Sequence, residues 1–323
     1  MGNRTGGALR VVVGPEDAFN SGQTTPTGYS IPKASCTFGW TEEMAASDEL
    51  KDDPNPSAPI RGLWTTTGDL VQAVETDALG RMAKYFLTSY TNTGTQAPYT
   101  HQFKIGTATP SSLWIEVGDT TEGKYDQFKG VFLSALKVTA TKRAEVLKAT
   151  WTLLGSGIKT LNSGTAYDTS PDSYTQLRHY LVDSVLKVNQ TASAVVTDVD
   201  FTVTRTIEMP KVLDGNRYAA SFAAGAYEVK GTITGLWDSA DTLRGYVTGD
   251  TTVDLMLECP RPGAPTKLVK FWFPEAKVGL TAAPSITTRG LVSVACDFYG
   301  YYLSDSEAAA FEIVCLNDLS TTY

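Results

Sequence analysis

The sequence is poor in residues that do chemistry at neutral pH. Its 323 residues include 2 histidines and 4 cysteines. His101 and His179 fall in stretches with the pattern of strands. Neither has a nucleophile or an orienting carboxylate at a spacing that would make it a general base. Cys36, Cys259, Cys296 and Cys315 form no C-x-x-C pair. A disulfide framework would be denser, so they read as buried, reduced thiols. There is no G-x-x-x-x-G-K-[ST] loop, no G-x-S-x-G elbow, no H-E-x-x-H and no D-x-D-x-D-G. No catalytic, cofactor-binding or metal-ligating residue is expected, and the chain is not expected to be an enzyme.

Two further shortages bear on partners. No apolar run approaches the roughly 18 residues of a membrane-spanning helix, and Leu9–Val13, broken by Arg10, is too short for a secretory signal core. Membrane insertion is therefore not expected. Charged residues make up only 19%, with a net charge of -8 and a pI of 4.9. That balance argues against a protein that grips nucleic acid by neutralising phosphates.

What the chain has is threonine, glycine and alternating patterns. β-Branched side chains suit a pleated surface. Val199, Phe201, Val203, Arg205 and Ile207 alternate with Asp200, Thr202, Thr204, Thr206 and Glu208. Leu147, Ala149, Trp151 and Leu153 share one face of a second stretch. The spacing of Leu70, Val74, Ala78, Met82 and Phe86 predicts an amphipathic helix capped by Thr67 or Asp69 and stopped by Asn92 and Gly94. A second, short helix is expected near Ser239–Val247. Glu42, Glu43, Asp48, Glu49, Asp52 and Asp53 stand against one lysine, Lys51, in a stretch that ends in three prolines. It reads as a solvated acidic loop or as an arm that docks on a neighbouring subunit.

The order of predicted elements repeats: strand, long loop, strand, helix, then further strands. Arg61-Gly62-Leu63-Trp64 is echoed by Thr234-Gly235-Leu236-Trp237, and Lys129-Gly130-Val131-Phe132 by Arg289-Gly290-Leu291-Val292. Such a repeat bears on architecture before function. It divides the chain into a first β domain at 1–155, a linker at 156–173 and a second β domain at 174–323.

Several strand motifs resemble those of bacteriophage tail tube proteins. They are His101-Gln102-Phe103 followed by Pro110-Ser111-Ser112-Leu113-Trp114-Ile115, then Gly130–Val138, Trp151–Gly155 and Tyr227–Thr234. The resemblance runs over residues 28–317 and rests on strand patterns. It implies a mainly-β fold, with two tandem tail-tube-type β-sandwich or barrel domains that each carry one flanking α-helix.

As to function, it implies a structural subunit of a long non-contractile tail in the virion, assembled in the host cytoplasm. The subunits close into stacked rings around a channel for genome ejection. A duplicated chain would need three copies for a pseudo-hexameric ring, with a hexamer of six copies as the alternative. The other implied partners are a tape-measure protein, tail-end proteins and double-stranded DNA in transit. Candidate channel-facing residues are Asp200, Thr202, Thr204 and Glu208, together with Thr252, Asp254 and Glu258. The six acidic residues at 42–53 are the candidate inter-subunit arm. A competing reading is a carbohydrate-binding or adhesive β-sandwich on a virion or cell surface.

Overall fold

The computed structural model describes residues 9–45, 58–141, 146–173, 178–193, 195–236, 242–281, 292–302 and 309–320. The first half holds β1 (Leu9–Pro15), β2 (Tyr29–Ser30), β3 (Lys33–Cys36), β4 (Gly39–Ala45) and β5 (Ile60–Ala73). Helix α1 (Thr76–Leu87) leads into β6 (Thr88–Thr93), β7 (Tyr99–Ile105), β8 (Leu113–Asp119), β9 (Lys124–Thr141), β10 (Lys148–Gly155) and β11 (Lys159–Ser163). The second half holds β12 (Asp172–Ser173), β13 (Val185–Val188), β14 (Thr191–Ala192), β15 (Val196–Glu208) and β16 (Ala223–Leu236). Helix α2 (Thr242–Thr248) precedes β17 (Thr252–Arg261), β18 (Ala264–Leu280), β19 (Ser293–Gly300) and β20 (Glu312–Asn317). The fold is mainly β, as expected.

The two halves pair their strands in the same order. In the first, β1, β8, β9, β10 and β5 are successive antiparallel neighbours, and β3 and β4 share the outer edge of β5. In the second, the succession is β13, β17, β18, β19, β16 and β15. Each half places its helix between matching strands. The match extends to register. Cys36 opposes Leu70 as Val199 opposes Ile233, and Ala45 opposes Ile60 as Glu208 opposes Ala223. Both hairpins are bulged at the same step, Glu42/Met44 and Arg205/Ile207. A bulge inserts an extra residue and bends a strand, so its recurrence is a specific feature.

The first short sequence echo does not mark these equivalences, and Arg289–Leu291 of the second lie outside the described residues. Arg61–Trp64 opens β5, whereas Thr234–Leu236 closes β16. The stretch 156–173, of linker composition, carries β11 against β9 and β12 against β2. Among the described residues only the first half has the β6–β7 hairpin, and β7 pairs with β20 of the second.

The halves are joined in one sheet. The end of β9 pairs with β15, from Thr141 opposite Asp198 to Ala135 opposite Thr204. β4, β5, β10, β9, β15, β16, β19 and β18 thus form one antiparallel run of eight strands. One face is covered by the rest of the molecule. Trp151, Leu136, Phe201, Val203, Ile233 and Phe298 point there and are essentially inaccessible.

Helix α1 contributes Leu79, Met82, Ala83, Phe86 and Leu87 to this core, with Phe86 edge-on to Trp151 at 5.7 Å. A helix of 12 residues is marginal in water, so its apolar face holds it, at about 1.5–3 kcal/mol per large side chain buried. The helix starts at Thr76, beyond the predicted cap. Leu70 and Gln72 are buried alternately in β5 and oppose Trp151 and Ala149 of β10. Leu70 and Val74 satisfy a helical period, but Thr65-Thr66-Thr67 and the open partner strand favour the extended form.

Candidate functional site

The other face of the eight-stranded sheet is open. Strand alternation sends every second side chain there. Asp200, Thr202, Thr204 and Glu208 of β15 lie on it, between Val199, Phe201, Val203 and Ile207, which point into the core. Thr150 and Thr152 of β10, Thr139 of β9 and Thr232 and Thr234 of β16 share it, all half-buried or exposed.

Its charges are mixed. Lys137 lies 3.8 Å from Asp200, and Lys230 lies 3.3 Å from Glu228. The Thr152 hydroxyl donates to Asp69 at 2.8 Å, and the Thr232 hydroxyl to Asp297 at 2.9 Å. Short hydroxyls hold the carboxylates close to the sheet, and exposed pairs of this kind are worth under about 1 kcal/mol each. The face is therefore polar, threonine-rich and only mildly acidic.

Thr252 borders this face at the start of β17, in the row Thr202, Lys230, Tyr299, Lys277, Thr252, whereas Asp254 and Glu258 lie further along β17, between β13 and β18. They have structural partners there. Thr252 shares a hydrogen bond with the Tyr301 hydroxyl, and Asp254 accepts from Trp272 Nε1 and from Gln190. Glu258 is clamped by Lys187 at 2.7 Å and Lys270 at 3.0 Å. Burial raises its carboxyl, and the two hydrogen-bonded lysines outweigh that, holding it below the usual carboxylate range.

Glu42 accepts from Trp64 Nε1 and from Arg217, both at 3.1 Å, and Glu43 is exposed beside it on β4. Asp48, Glu49, Asp52 and Asp53 lie outside the described residues.

Both histidines are internal. His101 Nδ1 is 2.8 Å from the Tyr90 hydroxyl and its Nε2 is 3.0 Å from the Leu319 carbonyl. His179 Nδ1 is 2.8 Å from the Cys259 carbonyl. Burial lowers the pKa of each. Burial also pushes the Cys259 thiol up to about 12, so it stays protonated. No group of three metal-ligating side chains occurs among the described residues.

One element had no signal in the sequence. Residues 209–222, between β15 and β16, lie across the first half. The Trp64 amide donates to the Arg217 carbonyl at 2.9 Å, Lys211 Nζ donates to the Trp64 carbonyl at 2.6 Å, and the Ala219 amide donates to Ser156 at 2.8 Å. Phe222 packs at 4.4 Å from Phe132 and 5.1 Å from Phe19. This stretch clasps one half of the chain with the other.

A sheet with one closed apolar face and one open polar face of this length is suited to form a wall. The family comparison agrees with that geometry. A model of the family described as phage tail tube protein matches residues 6–300. The chain belongs to the phage tail tube family. No curated protein sequence matches it. As a tail tube protein it is a structural component of the virion tail, where subunits assemble with one another and with other tail components. No described helix of this tail tube protein is long and apolar enough to cross a membrane.

Proposed function

We propose that three copies of this chain close into a pseudo-hexameric ring, that rings stack, and that the open threonine face lines the channel through which the genome is ejected. The observation that carries this reading is the continuous eight-stranded sheet, four strands from each half. Three copies give about 24 strands at roughly 4.8 Å, a circumference of about 115 Å and a backbone diameter near 37 Å before tilt. That admits a hydrated duplex. Closure also removes the exposed edges of the sheet. Two tandem tube domains, roughly 1–155 and 174–323, then do the work of two subunits; a hexameric ring of six copies is the alternative.

In this reading Asp200, Thr202, Thr204 and Glu208 belong to the channel wall, Thr252 borders it, and Asp254 and Glu258 sit off it. Neutral hydroxyls with a slight excess of carboxylates do not release counterions from DNA, so they offer it no grip. A tape-measure protein before ejection and DNA during it would be the transient occupants, and tail-end proteins would cap the stack. The role asks for no catalysis. Negative-stain microscopy of concentrated protein tests it: rings or tubes are expected, and dispersed particles that bind glycans would sink it.

A further inference from the structure

The eight-stranded sheet crosses from one half to the other at the β9–β15 junction and leaves parts of two edges without a neighbour among the described residues. At the junction Leu136 of β9 opposes Val203 of β15, and both are fully buried. Register identifies their counterparts. Leu280 opposes Cys296 of β19 as Leu136 opposes Trp151 of β10. Trp40 opposes Thr66 of β5 as Val203 opposes Val229 of β16. Yet Leu280 is 38% exposed and Trp40 39%. Met44, the counterpart of buried Ile207, is 61% exposed. Among the described residues β4 pairs with β5 alone, and β18 beyond Lys277 pairs with β19 alone. These apolar side chains stand partly open where the same positions are sealed inside the chain, Trp40 with Lys159 Nζ 3.5 Å from its ring centre.

We infer that a second copy of this chain covers both edges by repeating the internal junction. The β4 edge of one copy pairs antiparallel with the end of β18 in the next, with Thr41 opposite Gly279 and Trp40 opposite Leu280. This rests on the ring reading and gives it a register and an order, second half to first half.

A cleft of about 1020 Å³ supports the same docking; Tyr227, Val229, Gly300 and Tyr301 line it. The first-half counterparts of Tyr227, Val229 and Gly300 are Trp64, Thr66 and Gly155. There the seat is filled, because 209–222 binds at Trp64 and Ser156. The filled seat also offers Glu42 to Arg217. In the second half the corresponding seat is open among the described residues, and Arg205, the counterpart of Glu42, is bonded within its own half to Tyr227 and Gly225.

Cysteine cross-linking tests the register. A Cβ at Gly279 would meet nothing nearer than 4.0 Å, so Gly279→Cys is accommodated. Directly opposed Cα atoms lie about 4.5–5.5 Å apart, within disulfide reach. In a Cys36→Ala background, tubes of the Thr41→Cys/Gly279→Cys protein should oxidise to a ladder that stops at three chains. The pair shifted by one residue, Thr41→Cys/Leu280→Cys, should give at least about tenfold less product because its side chains face opposite ways. A ladder that continues to six places the same contact in a six-copy ring and overturns the copy number. Tubes that give no cross-link, or equal yield from both pairs, overturn the junction and leave the tube reading standing. Trp40→Glu supplies a second readout. It should melt like the parent yet lower assembly by about tenfold or more, since the charge would be buried only in the ring. Assembly of Trp40→Glu at the parental level would overturn the junction as well.

Discussion

The two faces of the eight-stranded sheet are made from the same strands and differ in almost everything else. On β10, Ala149, Trp151 and Leu153 face the core, while Thr150 and Thr152, one residue away, face outward. Period-two alternation gives each strand two jobs, one energetic and one functional. The covered face carries stability through packing. The open face carries little of it, and its composition is free to suit what passes over it.

The largest contrast should come from truncation. Trp151 is fully buried, stacks edge-on to Phe86 and donates to Gln72 at 2.8 Å. Trp151→Ala should lower unfolding free energy by about 3–5 kcal/mol in urea denaturation, whereas Thr150→Ala on the same strand should stay within about 0.5 kcal/mol. Equal losses would mean the faces are not energetically distinct.

Next in size is the clasp. Phe222→Ala removes a partly buried ring from between Phe19 and Phe132 and should cost about 1–3 kcal/mol. It should also raise protease sensitivity within 209–222. A change spread evenly over the chain would argue against a local clasp.

Acid should act on the covered side. His179 is buried and its pKa is lowered from 6.5 by desolvation. The unfolded chain then binds a proton that the native state does not. Stability is thus complete above about pH 6.5 and falls as pH drops from there toward the lower folded value. His101 acts in the same direction. In chemical denaturation across this range, His179→Gln should flatten the slope. An unchanged slope would mean that His179 is not desolvated.

Much of this was legible from residues alone. The alternation along 199–208 placed Asp200, Thr202, Thr204 and Glu208 on one face because strand geometry is local. The same reasoning grouped Thr252, Asp254 and Glu258 on one face of β17, but could not tell which strands flank it or that Asp254 and Glu258 run past the open face. Its partners, Lys187 and Lys270, come from β13 and β18, and such pairing is non-local. The helix start was misplaced for a related reason. Leu70 fits both periods, and the deciding neighbour, Trp151, lies far along the chain. The clasp at 209–222 left no pattern because its contacts, Lys211 to Trp64, Arg217 to Glu42 and Phe222 to Phe132, are made with residues far along the chain.

The smallest thermodynamic effect should accompany a large functional one. Asp200→Lys/Glu208→Lys on the open face should leave stability within about 0.5 kcal/mol and tube assembly intact, while slowing DNA delivery as cations hold phosphates. Delivery at the parental rate would remove the electrostatic argument for the wall.

The most direct measurement is a cryo-electron microscopy reconstruction of an assembled tube. Three chains per ring are expected, with Thr202, Thr204 and Thr232 facing the channel and Trp40 sealed against Leu280 of the adjoining copy. A tube with the threonine face turned outward, or with its strands discontinuous between copies, would contradict this arrangement.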